Sequence, residues 1–255
     1  GPRSQGPWGH GATAGAGGAT PSGGWDGGNT FWNTDSAGGA GSFVADPATS
    51  DDLTLSAGTD ATGGYTLTIT GARNCGNLVF QEGAPIIAGG TLNLGATANI
   101  SATVGGTIGS IVSGAGSSLT KTGAGTLTLS GANTYDGGTT VSGGTLTAGN
   151  ASAFGGGAIA LNGGTLNIAT YSFTNAVTLG NAVNTIYVSG NYRTLSGKFT
   201  GSGGFTMDGA GTPGLIINNA TNDFLGPLTI NAGCYLRLAA SEVIPDTVCV
   251  TNNGN

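Results

Sequence analysis

Along much of the chain, aliphatic and polar residues alternate in short runs that glycines interrupt. Leu127 and Leu129 alternate with Thr126 and Thr128, Leu166 and Ile168 with Thr165 and Asn167, and Leu92 and Leu94 with Thr91 and Asn93. A period of two is that of a strand with one buried face, so the aliphatic residues point inward and Thr or Asn outward. The runs end in Gly-Gly, Gly-Ala or Asn-Gly, pairs that tolerate the positive φ of a sharp corner. Helical periodicity is nearly absent; Asn150-Ala151-Ser152-Ala153-Phe154 and Ser241-Glu242-Val243 predict at most a single turn each.

The runs also repeat. A unit of Gly-Thr-aliphatic recurs as Gly90-Thr91-Leu92, Gly106-Thr107-Ile108, Gly125-Thr126-Leu127, Gly144-Thr145-Leu146 and Gly164-Thr165-Leu166, so that the aliphatic position advances by 16, 19, 19 and 20 in turn. Thr66-Leu67-Thr68-Ile69-Thr70-Gly71-Ala72 echoes Thr126-Leu127-Thr128-Leu129-Ser130-Gly131-Ala132 at a separation of 60. A degenerate copy places Ile217, Phe224, Ile230 and Gly233 after the pattern of Leu129, Tyr135, Val141 and Gly144, with one residue inserted before Phe224. A fixed period predicts an all-β fold, a β-solenoid with rungs of about 20 residues, over a sandwich, which does not need the same sequence at each turn. Roughly ten rungs about 4.8 Å apart would make a rod on the order of 50 Å, filled by small aliphatic residues and lined outside by Thr and Asn ladders.

Residues 1–50 read differently from 51–255. Gly9 to Gly24 is almost wholly Gly, Ala, Thr and Ser without alternation, and all three tryptophans, Trp8, Trp25 and Trp32, lie in this region. The expectation is an N-terminal arm or cap over 1–50 that covers the unpaired edge of a solenoid over 51–255.

Composition narrows the function. Of 255 residues 53 are glycine and only 7% are charged, against about a quarter in an ordinary soluble domain. Charges stacked on every rung would repel, whereas stacked Thr and Asn hydrogen-bond to one another. Six scattered Lys and Arg residues and a net charge of −6 offer no basic patch for nucleic acid. No run of about 18 apolar residues predicts a transmembrane helix. Glycine is not at every third position, which excludes collagen. The opening Gly1-Pro2-Arg3-Ser4-Gln5 lacks a charged segment followed by an apolar core, as expected of a mature or trimmed chain.

The stretch from Leu119-Thr120-Lys121-Thr122-Gly123-Ala124-Gly125-Thr126-Leu127 through Asn133-Thr134-Tyr135-Asp136-Gly137-Gly138 to Gly143-Gly144-Thr145-Leu146 resembles the autotransporter-associated β-strand repeat. That repeat occurs in passenger regions of bacterial autotransporters and in very large bacterial surface proteins. The likeness is looser elsewhere and includes Trp25-Asp26-Gly27-Gly28-Asn29, which is similar to the start of many such proteins. It implies a right-handed β-helix, a structural role for the repeat in secretion and passenger folding, and a secreted or cell-surface location. The sequence departs from the family's autotransporters in lacking a terminal membrane barrel with aromatic girdles. Val248-Cys249-Val250-Thr251 instead falls inside a rung-like pattern, which predicts either a piece of a longer protein or an end that pairs with a neighbour.

Candidate chemistry is sparse, and the expectation is a protein that is not an enzyme and uses no cofactor or metal. Gly209-Ala210-Gly211-Thr212-Pro213-Gly214 matches Gly-x-Gly-x-x-Gly, but strand-like residues follow it where a dinucleotide site needs a helix. Asp51 and Asp52 would face opposite ways on a strand, Asp26 and Asp35 flank Trp32 in turn-like sequence, and His10 is the single histidine; none assembles an acid–base or metal site. A lone calcium at Asp136 or Asp223 is the one metal alternative. Tyr135 and Phe224 are expected to pack at corners rather than stack on sugars.

The three cysteines, Cys75, Cys234 and Cys249, are odd in number, so in an oxidising compartment at least one is free or pairs between chains. They read either as small buried residues or as a bridge from Cys75 of one copy to Cys234 or Cys249 of the next. The expected function is an extracellular structural subunit, a stalk or fibre that associates head to tail with copies of itself. Its contacts would lie at Trp8, Trp25, Trp32, Cys75, Cys234 and Cys249. The alternative is a glycan-binding adhesin module, and a polysaccharide-degrading enzyme is the third choice.

Overall fold

The computed structural model describes residues 63–180 and 183–254, together with the strands Ser4–Gln5, Gly23–Trp25, Trp32–Asn33, Phe43–Val44 and Asp52–Leu55. Every described element is a strand. Alternating sequence makes most strands amphipathic, and the chain buries their apolar faces together by coiling, so that strands stack in parallel, rung on rung. One sheet of nine strands runs from Ser4–Gln5 through Asp52–Leu55 and Ser118–Thr122 to Phe199–Thr200. A second, of twelve, runs from Gly23–Trp25 through Gly64–Cys75 and Thr126–Leu129 to Val250–Asn252. A third sheet of three strands, Tyr192–Leu195, Gly214–Ile217 and Tyr235–Leu238, opens beside the later rungs. The β-solenoid read from the sequence is the fold.

Leu127, Leu146, Leu166, Ile186 and Met207 are stacked partners in successive rungs, so the numbering advances by 19, 20, 20 and 21 from each to the next. Val141, Leu161 and Leu179 are in register on the nine-stranded sheet. Both columns are buried and belong to one continuous core.

The register differs from the sequence pattern in the earlier rungs. Ile108, which follows Leu92 in the Gly-Thr-aliphatic series, does not stack on it: Ile108 pairs with Ile87 and Leu129, while Leu92 pairs with Val112. By these partners the step is 20 from Leu92 to Val112 and 21 from Ile108 to Leu129, so the anomalously short step disappears. The cause is the long strand Ala84–Leu94, which pairs with two strands of the next rung, Gly106–Ile108 and Ile111–Ser113. The same shift aligns Leu67, through Ile87 and Ile108, with Leu129 rather than Leu127.

Glycine is required where corners of adjacent rungs touch. Gly144 has φ +59°, and a Cβ there would lie 2.4 Å from Gly125 O and 2.5 Å from Gly123 O. Any side chain would force these backbones apart.

Of residues 1–50, Gly23–Trp25 pairs with Leu67–Ile69 as a strand of the twelve-stranded sheet, and Trp25 is buried in the core. Trp32–Asn33 and Phe43–Val44 form an antiparallel pair. Ser4–Gln5 pairs with Asp52–Leu53 at the edge of the nine-stranded sheet, and the remainder of the arm expected there, Trp8 included, lies outside the described residues. Tyr135 and Phe224 are buried, as expected of corner aromatics, and Phe154 packs against Phe173 with ring centroids 4.6 Å apart and the planes tilted by 46°.

Candidate interaction surface and its buried supports

The corners are held by three buried asparagines, each bridging the rungs on either side of its own. Asn133 Oδ1 accepts from Val112 N–H at 2.9 Å, and its Nδ2 donates to Ala153 O at 2.7 Å. Asn222 repeats the arrangement between Phe199 N–H (2.8 Å) and Val243 O (2.7 Å). Asn184 bridges Gly163 N–H (2.9 Å) and Gly204 O (3.0 Å). A primary amide has one acceptor and two donors, so it satisfies backbone groups that leave the ladder where the chain turns. Sequence reading missed all three. A signal exists for two of them, since Asn133-Thr134-Tyr135 and Asn222-Asp223-Phe224 share Asn two positions before the corner aromatic.

Lys121 is also inside. It occupies an inward position between Ile100 and Val141 and is fully buried. Its Nζ donates to Thr122 O (2.7 Å), Gly123 O (2.8 Å) and Gly143 O (3.1 Å), closing a glycine corner across two rungs. Burial pushes its pKa down to about 8. Its parity with Leu119 is the signal that could have revealed it.

The outside is polar and almost uncharged. Thr126, Thr145, Thr165, Thr185, Thr206, Thr229 and Thr251 form one column of register partners on the outer face of the twelve-stranded sheet. Asn93 Nδ2 donates to Asn74 Oδ1 (3.2 Å) and Ser113 Oγ donates to Asn93 Oδ1 (2.5 Å), a ladder across three rungs. A groove of about 530 Å³ crosses three rungs at the Asn133 corner, between Thr134, Ser152, Gly156, Ser172, Thr174 and Asn175, with Phe173 at its floor. No charged side chain lines it.

The sequence-expected contact residues are scattered. Trp25 and Cys75 are buried in the core, Cys234 is almost fully buried, and Cys249 is exposed. Burial, reinforced by the Asp208 charge, raises the Cys234 thiol above its usual range. Trp32 lies in its two-residue strand, and Trp8, His10, Asp26 and Asp35 lie outside the described residues. The glycine motif at 209–214 is the corner between two strands, Phe205–Ala210 and Gly214–Ile217. Asp136 Oδ1 accepts from Gly116 N–H, and Asp223 pairs with Lys198 at 2.5 Å on the surface. Among the described residues no three His, Cys, Asp or Glu side chains are grouped to hold a metal, and no helix is long and apolar enough to cross a membrane.

Residues 119–148 match the family model of the passenger-associated-transport-repeat. The chain carries the autotransporter passenger repeat. The matched repeat takes in two strands of each large sheet, and it contains Lys121, Asn133, Tyr135 and Gly144. Over 229 residues, 88% of the chain, the sequence is 33% identical to Adhesin BmaC autotransporter of Brucella suis biovar 1 (strain 1330). The match spans 6% of that protein's length. No solved structure matches the chain. A passenger repeat and a relative of this kind identify a secreted or cell-surface β-helix passenger region.

Proposed function

We propose that the chain is a stiff, non-enzymatic stretch of the stalk of a longer surface adhesin, a spacer that carries contact surfaces away from the cell. The observation that supports this reading is continuity: strand pairs of the twelve-stranded sheet follow one another from Gly23–Trp25 to Val250–Asn252, over a single core. The eleven strands along that path, about 4.8 Å apart, correspond to a rod on the order of 50 Å. Negative-stain electron microscopy of the purified chain should show short rods of uniform width. Rounded particles, or release of sugars from polysaccharide by the chain, would remove the proposal.

The proposal includes contact between copies. Its support is the exposed Cys249 thiol near Val250, with Tyr235 and Leu238 also exposed. Filaments that grow with protein concentration are the expected images; rods that stay single at every concentration would count against head-to-tail association.

A second reading, glycan binding, is favoured by the groove at the Asn133 corner. Its hydroxyls, amides and exposed glycine backbone suit an uncharged oligosaccharide, which needs directional hydrogen bonds and no counter-charge. A glycan array probed with the wild-type chain and with Ser152→Trp should show hits that the substitution abolishes. An array without hits removes this reading and leaves the stalk.

A further inference from the structure

Asn162-Gly163 is one of two Asn-Gly pairs in the sequence, the other being Asn253-Gly254. Such a pair is prone to deamidation. The deprotonated backbone nitrogen of the glycine attacks the asparagine Cγ, a C–N bond forms, and ammonia leaves. Water then opens the cyclic imide at either carbonyl, giving aspartate or isoaspartate. Glycine favours the step because no Cβ obstructs the approach. The nitrogen, however, must be free to lose its proton and swing onto Cγ.

Here it is not free. Gly163 N–H donates to Asn184 Oδ1 at 2.9 Å. Asn184 belongs to the next rung, where Thr185 pairs with Thr165. Its side chain is 1% exposed and fixed by two further bonds, from Nδ2 to Gly180 O (3.1 Å) and to Gly204 O (3.0 Å). The acceptor therefore cannot rotate away without breaking both. Asn162 is also tied by its own N–H to Val141 O of the preceding rung at 2.8 Å, which fixes the backbone that would have to turn. The Asn162 side chain is exposed, so water and base reach it readily.

We infer that Asn162 is a latent deamidation site, and that Asn184 from the neighbouring rung holds it closed. The lock opens only when the two rungs part, so the modification records rung separation in a molecule that has since closed again. Asn253-Gly254 is a comparator within the same chain. Asn253 N–H is tied to Ile230 O at 2.9 Å as Asn162 is to Val141 O, so the two sites differ at the glycine: Gly254 N–H donates to Asn252 Oδ1 (2.9 Å), an exposed residue two positions away, rather than to a buried side chain of the next rung.

The experiment is peptide mapping by mass spectrometry after prolonged incubation of the folded protein in mildly alkaline buffer, following Asn162 and Asn253 separately. The expected result is conversion at Asn253 with Asn162 largely intact, and comparable conversion at both sites in denaturing urea. Asn184→Ala should raise conversion at Asn162 by about fivefold or more, the factor that one lost hydrogen bond represents. Leu67→Ala, which removes a buried side chain several rungs away and leaves the Asn184 clamp intact, weakens the fold but should leave Asn162 protected. Equal conversion at the two sites in the folded wild type would overturn the inference. So would protection at Asn162 that persists in urea, or conversion in the two variants that tracks their loss of stability.

Discussion

Where glycine bends the chain, asparagine and lysine collect the backbone groups that the bend releases. Asn133→Ala would leave Val112 N–H and Ala153 O buried without this partner, at about 1–3 kcal/mol for each group. We expect urea unfolding to show a loss of about 2–5 kcal/mol, with Asn222→Ala behaving alike because its geometry is the same. Lys121 adds a pH dependence. With the folded value lowered from 10.5 to about 8, the unfolded chain binds the extra proton between these two values, so this residue makes stability rise with pH across that window. Tyr65 and Tyr135, whose phenols burial pushes above their ordinary range, act the other way above about pH 10, where only the unfolded chain ionises. The difference in unfolding free energy between wild type and Lys121→Met cancels the tyrosines and should grow in favour of wild type from pH 8 to 10; a flat difference would show that the ammonium costs nothing where it lies. These roles were hidden in the sequence for a physical reason: Asn and Lys ordinarily mark the surface, and only their place in the alternation or beside an aromatic marks them as interior.

At the scale of the strand, the alternation of Leu127 and Leu129 with threonines was enough to assign faces, because one residue of slip would turn the core outward. It was not enough to assign partners in the earlier rungs. Ile87 and Leu92 are five residues apart, an odd step, yet both are buried because the chain turns at Gly89 and Gly90, both at positive φ, and resets the alternation; Gly106-Thr107-Ile108 could therefore be laid on Gly90-Thr91-Leu92 without a clash in pattern, and only the anomalous spacing betrayed the slip. Leu146 sits between Leu127 and Leu166, and Leu146→Ala should cost about 2–5 kcal/mol. Because each rung touches mainly its neighbours, the loss should remain local. Hydrogen exchange should speed up in the rungs of Leu127, Leu146 and Leu166 and stay unchanged around Leu67; uniform acceleration would mean that the rod unfolds as one unit.

For the whole molecule, the cysteines were legible in number and not in exposure. Only Cys249 is placed for contact with another chain, so Cys249→Ser should abolish any disulfide-linked dimer on non-reducing electrophoresis while Cys75→Ser leaves it intact. The repeat around 119–148 made the coil and its surface location readable from sequence, whereas residues 1–50 lack the period that would set their register. The coiling has a mechanical meaning. A rung of about 20 residues adds about 4.8 Å to the rod, yet pulled straight it spans roughly 70 Å. On the proposed stalk reading, a rod that loses one rung under tension gains more than ten times the length given up, and the remaining coils stay wound. The thread would give in discrete steps, meeting a sudden tug by lengthening before a contact at its far end has to fail.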